Sequence, residues 1–232
     1  MTSHKMTDWF RIKRLRPWIR GIGGIIPIYA VLFKLGYVMS PAAVPAVLCI
    51  PNCPSTQRYH AIAPGSLDAL SENERSLSER LENADPAQIS LLVEKSQYRL
   101  TVFYAGQPVT SYPMVLGGNP TGDKLHEGDE RTPEGIYHIR DLYPHPDWSK
   151  FIWLDYPSPQ AWREHFAAKW NGELSWFLPI GGQIGIHGVP DGGDHLISDR
   201  TNWTWGCISL TNADVDDLYA VLKPGIVVEI VP

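Results

Sequence analysis

The sequence predicts a mainly β domain with two helical insertions. Three observations carry this: apolar runs with period-two alternation begin at Ile89, two later stretches place apolar residues at helical spacing, and the chain before Ile89 has a different texture. Ser90-Leu91-Leu92-Val93-Glu94 is a short apolar run, Lys95-Ser96-Gln97 is a turn, and Tyr98, Leu100, Val102 and Tyr104 then alternate with polar neighbours. Ala105-Gly106-Gln107-Pro108 is the next turn and 109–116 the next strand, so the three strands form an antiparallel meander. Further strands are expected at 135–142 and 183–187, and a closing strand over 226–231 follows the Pro224-Gly225 turn. The first helix, 158–170, carries Trp162, His165, Phe166 and Trp170 at spacings that suit one face. The second, 212–223, places Val215, Leu218, Tyr219 and Leu222 behind a Thr211-Asn212 cap. No internal repeat or low-complexity tract interrupts the pattern.

With 232 residues, 44% hydrophobic and 19% charged, the chain can bury one good core with residues to spare. Its net charge of -5 leaves no basic excess to neutralise a phosphate backbone, which argues against a nucleic-acid partner. The basic residues are unevenly placed: Arg11, Lys13, Arg14, Arg16 and Arg20 fall in the first twenty positions. After them 21–33 carries no charge, Lys34 interrupts, and 35–57 is again uncharged. This reads as an export signal or, preferably, an N-terminal membrane anchor, with everything after about residue 50 delivered to the periplasmic side. Pro27, Pro41, Pro45 and Pro51 weaken any helix through it, and the proline in Val44-Pro45-Ala46 weakens that candidate cleavage site. Residues 54–88 run through Pro54, Pro64, Gly65 and a polar stretch at 71–82, and read as a linker containing a short solvated helix. The expected division is therefore 1–53 leader, 54–88 linker and 89–232 domain.

Cys49 and Cys53 sit together at the end of the apolar stretch, where a disulfide between them is an open question, and Cys207 is alone in the rest of the chain. The three thiols and eight histidines never fall into the close paired spacing of a metal site, so neither metal nor cofactor is expected. Ile184-Gly185-Ile186-His187-Gly188 is an alternating strand that ends in His-Gly and puts an imidazole at a sheet edge. Further on, Thr204-Trp205-Gly206-Cys207 puts a thiol on a tight bend. A histidine within reach of a cysteine lowers the thiol pKa and later protonates a leaving amine. Backbone N–H groups at Gly206 and Cys207 can stabilise an oxyanion, and glycine there leaves room for the approaching carbonyl. Each residue alone has a plainer reading, Cys207 as a small buried hydrophobe and His187 as a satisfied structural residue. The tryptophans read mostly as core or lid, with Trp203 and Trp205 placed at the site by the motif. The acidic run Gly128-Asp129-Glu130 reads as a solvated turn.

Taken together, the segments resemble the L,D-transpeptidase (YkuD) family, whose signature is His-Gly followed some twenty residues on by a Ser/Thr-x-Gly-Cys turn. Here these are His187-Gly188 and Thr204-Trp205-Gly206-Cys207. Arg131-Thr132-Pro133-Glu134-Gly135 looks like the family's Thr-Pro-x-Gly turn, preceded by Leu116-Gly117. The resemblance covers 89–232 and is nearest to the proteobacterial YafK branch. One departure stands out, because the family commonly follows the nucleophile with Ile/Val-Arg and this chain has Ile208-Ser209.

The resemblance implies a β-sandwich or barrel in which Cys207 attacks the meso-diaminopimelate carbonyl of a peptidoglycan stem peptide, expelling D-alanine. The thioester then passes to a stem-peptide amine, a lysine of a wall-linked envelope protein, or water. It also implies that the Gly188 carbonyl holds the His187 ring and that Gly206 serves the oxyanion, with Trp205 placed at the site by the motif. Thr204 and Ser209 are candidates for hydrogen bonds to substrate or within the turn, and Arg131 either pairs locally or faces an anionic stem peptide. As family behaviour, carbapenems are expected to acylate Cys207, and rapid alkylation near neutral pH would separate an activated thiol from a structural one. A sortase is the enzymatic alternative, against which stands the lack of any arginine after Cys207. A non-catalytic wall-binding module is the alternative of another class.

Overall fold

Eight strands form one mixed sheet in the order β3-β2-β1-β8-β4-β5-β6-β7. They are β1 Ile89–Glu94, β2 Arg99–Tyr104, β3 Gln107–Pro113, β4 Gly135–His145, β5 Ser149–Leu154, β6 Gly185–His187, β7 Ile208–Ser209 and β8 Val227–Val231. This computed structural model describes residues 27–50, 52–53, 58–61 and 76–232. The first three strands are the antiparallel meander that the alternation predicts. The last strand enters the middle of the sheet, parallel to β1 and antiparallel to β4. With neighbours on both sides β1 is buried along its whole length, which is why 89–94 reads as an apolar run rather than an alternation.

β4 serves both halves of the sheet. Gly135–His138 pairs with β8, and the remainder pairs with β5 after a register shift between Ile139 and Asp141. Such a bulge bends a strand and increases its twist, and the sheet curls accordingly. The chain beyond β3 crosses to the opposite edge, where Val115 bridges Ser209 and Gly117 bridges Thr204. The expected strand 109–116 therefore stops at Pro113, and the next four residues help close a half-barrel. Its interior is filled by Leu91, Val93, Leu100, Val102, Ile152, Ile186, Ile208 and Ile230, among others.

The two long helices fall where their spacing places them. α3, Pro159–Trp170, is capped by Ser158, whose hydroxyl accepts from the Ala161 N–H. α5, Asn212–Val221, is capped by Thr211 accepting from Asp214, and it buries Val215 and Leu218. The short helix α4, His195–Ser198, and the strands β5 and β7 were not anticipated.

The region expected to be linker is partly docked. His60 is buried, its Nδ1 2.8 Å from Glu229 Oε2 and its Nε2 3.0 Å from Ser90 Oγ, and its ring packs 4.4 Å from that of Phe103. The helix expected to be solvated is a single turn, α2 (Leu77–Arg80), that buries Leu77 and docks on α5 through the Leu77 N–H to Asp217 at 2.9 Å. A single anchoring residue per segment, a polar one in the case of His60, is too sparse a signal for hydrophobic patterning to register.

Of the expected leader, residues 1–26 lie outside the described ones, and no described helix is long and apolar enough to cross a membrane. Residues 27–34 are helical. Beyond them Pro41 and Pro45 limit the chain to a 3-10 turn and the one-turn helix α1, Val44–Val47. This stretch lies on the domain: the Gly36 carbonyl accepts from Ile180 at 3.0 Å and the Ala46 carbonyl from Arg163 at 2.9 Å. Cys49 and Cys53 are joined as a disulfide.

Candidate active site

Parallel pairing of the short strands β6 and β7 aligns Ile186 with Ile208 and His187 with Ser209. Cys207 precedes β7 by one position and Ser209 by two, so strand alternation puts the thiol on the side of the sheet that His187 occupies. The bend that presents Cys207 is clamped by Thr204, whose hydroxyl donates to the Cys207 carbonyl at 2.7 Å and accepts from the Gly206 N–H at 3.2 Å. Thr204 is buried in this role. Gly206's N–H is thus already committed, and the Cys207 N–H, which has no partner among the described residues, is the donor left for an oxyanion. Trp205, 84% exposed, stands at the rim.

His187 Nδ1 lies 2.7 Å from the Gly188 carbonyl, an acceptor, so Nδ1 carries the proton and Nε2 is the basic nitrogen. Gly188 is itself fixed, its N–H donating to the Trp148 carbonyl at 3.0 Å, and a Cβ there would stand 2.1 Å from Asn212 Oδ1. Ser209, fully buried, donates to the same Gly188 carbonyl at 3.3 Å. The residue standing where the family carries arginine therefore touches the carbonyl that orients the base. Around the imidazole close three rings: Trp148 stacked at 4.5 Å, Phe151 parallel at 5.9 Å and Trp203 edge-on at 5.5 Å. His145 stacks on the far side of Trp148 at 4.4 Å.

This enclosure decides the charge states. Burial lowers His187 to about 4, the hydrogen bond to Gly188 opposing it and the neighbouring His145 adding to it. Burial likewise pushes the Cys207 thiol up to about 11, against a backbone hydrogen bond at Gly185 and the charge of Lys124. Cys207 is partly exposed as a residue, yet the protein packed around its sulfur outweighs that opening. The sequence led us to expect a thiol acidified by its histidine; instead the resting pair is neutral on both sides at pH 7. The thiol lies 3.5 Å from the Gln183 carbonyl, its acceptor in this state.

Trp148 was not separable in the sequence from the other tryptophans, and its role follows from β5, which the sequence did not announce. Trp148→Ala opens one face of the imidazole to water, so the His187 pKa should climb from about 4 toward the ordinary 6.5. A histidine-selective NMR pH titration, with the resonance assigned through His187→Gln, checks this, and an unmoved pKa would mean that Trp148 is not the shield.

The Thr-Pro-x-Gly turn meets the Cys207 bend backbone to backbone. A Cβ on Gly206, whose φ is +128°, would lie 2.5 Å from the Arg131 carbonyl oxygen. Arg131 contributes this main-chain contact, while its guanidinium donates to the Asp123 carbonyl at 3.3 Å. The turn is held by buried groups. Thr132 accepts from the Gly117 N–H at 3.2 Å, and Lys95 reaches the Thr132 carbonyl at 3.0 Å and Glu134 at 2.8 Å. The acidic run read as solvated is instead the organiser of its loop. Asp129 accepts from the N–H groups of Leu125, His126 and Arg131 and from Lys124 Nζ at 2.7 Å. Burial alone would raise this carboxyl, but those donors hold it below the usual range. Among the described residues no three His, Cys, Asp or Glu side chains are grouped to hold a metal ion.

The family model of the L,D-transpeptidase catalytic domain, YkuD, matches residues 88–230. Solved structures with a similar course of chain include Bd1075 of Bdellovibrio bacteriovorus, at 23% identity and a TM-score of 0.46 over 67% of this chain and 50% of that one. The helical cell shape determining protein Pgp2 of Campylobacter jejuni has 23% identity and a TM-score of 0.45 over 66% and 52%. An L,D-transpeptidase of Mycobacterium smegmatis has 13% identity and a TM-score of 0.42 over 63% and 59%. The chain thus spans about half to three fifths of the solved proteins it resembles. No curated protein sequence matches it significantly. With the family model covering more than half of its length, the chain belongs to the L,D-transpeptidase catalytic domain (YkuD) family.

Proposed function

We propose that this protein is a cysteine acyltransferase acting on peptidoglycan stem peptides on the periplasmic side of the cytoplasmic membrane. The observation that carries the reading is a thiol on a clamped Gly-Cys bend beside a histidine whose Nδ1 is tied to Gly188, which leaves Nε2 as a base. The thiol swings from the Gln183 carbonyl and gives its proton to Nε2 as sulfur attacks the carbonyl carbon of the third stem residue, meso-diaminopimelate. The oxyanion accepts from the Cys207 N–H. Collapse of the tetrahedral species breaks the bond to the terminal D-alanine, whose amine takes the proton back from Nε2. The resulting thioester is attacked by an acceptor amine, whose proton passes to Nε2 and from there to the departing sulfur, which restores the thiol and the neutral imidazole. Because the chemistry at sulfur is the same for every acceptor, binding selects among a stem-peptide amine, a lysine of a wall-linked envelope protein and water.

Mass spectrometry of products from disaccharide-tetrapeptide muropeptides and from cross-linked or lipoprotein-linked sacculi, with wild type and Cys207→Ala, tests this. New cross-linked dimers that vanish in the variant are the expected result. Cys207-dependent release of peptide or protein without dimers would make it a hydrolase, and no Cys207-dependent product would leave a binding module.

A further inference from the structure

Among the described residues, the three most exposed aromatic side chains outside the site are Trp170, at the end of α3, and Trp176 and Phe177, in the loop after it, exposed by 82%, 58% and 85%. The loop is not slack, since Lys169 Nζ donates to the Trp176 carbonyl at 3.2 Å and the Leu178 N–H to Ser175 at 3.1 Å. Three residues past Phe177, the Ile180 N–H donates to the Gly36 carbonyl, at the foot of the helix over 27–34. That helix carries Ile28, Val31 and Phe33, and Leu35 follows it; all four side chains are exposed. Trp170 lies about two turns along α3 from Arg163, which holds the Ala46 carbonyl, so it stands on the same side of α3 as the N-terminal segment.

An apolar helix exposed on most of its surface and a hydrogen-bonded loop bearing exposed aromatic side chains therefore flank one hydrogen bond. Water is a poor solvent for that surface, and Trp in particular is favoured where an apolar medium meets a polar one. The charge of the chain identifies the medium. Arg11, Lys13, Arg14, Arg16 and Arg20 precede the uncharged run that leads into this helix, and such a basic cluster is attracted to anionic headgroups. We propose that the Trp170, Trp176 and Phe177 surface is a lipid-docking patch of the catalytic domain itself, seating the domain on an anionic phospholipid bilayer beside its N-terminal segment. The patch contains none of the residues used in catalysis, so this inference stands or falls apart from the acyl-transfer reading.

The test is flotation of the full chain with vesicles of phosphatidylethanolamine and phosphatidylglycerol, against vesicles of phosphatidylcholine. It is run for wild type and for Trp170→Ser/Trp176→Ser/Phe177→Ser, with the far-UV circular dichroism spectrum, and acylation of Cys207 by imipenem beside it, as the checks that the variant is folded. The wild type should float with the anionic vesicles, and brominated acyl chains should quench its tryptophan emission. The triple variant should partition at least about tenfold less strongly and lose part of that quenching, and Phe177→Ser alone should fall between. A triple variant that is acylated normally and floats like wild type would assign membrane binding to the N-terminal segment alone and overturn the patch. Retention on purified peptidoglycan, or concentration-dependent dimers, with neither vesicle type bound would overturn it in favour of glycan stacking or a second copy.

Discussion

His187→Ala is expected to slow acylation of Cys207 by imipenem at pH 7 by about 10²–10⁴. The upper bound follows from the thiol. Held at about 11, it is ionised in roughly one molecule in 10⁴ at pH 7, so a site without its base can fall only to what that thiolate fraction sustains. The same numbers fix the pH dependence. The base works when unprotonated, and its proton leaves at about 4. The wild-type rate should therefore rise through about pH 4 and stay level from roughly pH 5 to 9, while the variant should gain about tenfold per pH unit until the thiol ionises. A wild-type rate that falls through pH 6.5 on acidification would show an imidazole open to water. Loss of the ring leaves a gap beside Trp148 and Phe151, so His187→Gln, which keeps more volume, should reproduce the profile. The linkage to folding has the same sign. Because burial depresses this histidine in the folded state, its neutral form contributes stability above about pH 6.5 that is lost as pH falls toward 4.

What the sequence disclosed and what it withheld divide along physical lines. The meander and the two helices were legible because strand alternation, Gly and Pro turns, helical spacing and a hydroxyl cap such as Thr211 are local signals. β5 was not, because Ser149–Leu154 mixes charge with aromatics and its second partner, β6, lies far along the chain. β7 is two residues long and exists through its pairing with β6. At the site, the motifs singled out Cys207 and His187 as candidates, whereas their protonation states could not be read from them. Those depend on Trp148, Phe151 and Trp203 closing on one ring, a convergence of distant segments. Asp129 misled for the complementary reason: an acidic residue in a turn looks solvated until the backbone donors around it are counted. For Arg131 the sequence pointed to the side chain, while the contact that shapes the site is made by its carbonyl.

That carbonyl gives the second large effect. Gly206→Ala is expected to destabilise the domain by about 3 kcal/mol and to reduce imipenem acylation by at least about 10² in the fraction that stays folded. Two costs coincide at this position. A φ of +128° is one that L side chains rarely adopt, and the added Cβ would stand 2.5 Å from Arg131 O, a main-chain atom that cannot rotate away. The bend also cannot slide, because Thr204 grips it at both the Gly206 N–H and the Cys207 carbonyl, so the strain is relieved by moving the thiol relative to Nε2. Arg131→Ala should give no relief in the double variant, since it leaves the carbonyl in place. Gly225→Ala separates the two costs: its φ is +92°, but nothing lies within 4 Å of the new Cβ. It should lower the melting temperature by an amount that corresponds to about 1–2 kcal/mol of backbone strain, with acylation unchanged. If Gly206→Ala behaved like Gly225→Ala, the meeting of the two turns would not be what fixes the nucleophile. A loss confined to Gly206→Ala would explain why a Thr-Pro turn and a Gly-Cys turn more than seventy residues apart belong to one signature: the backbone of the first is the surface against which the second is shaped.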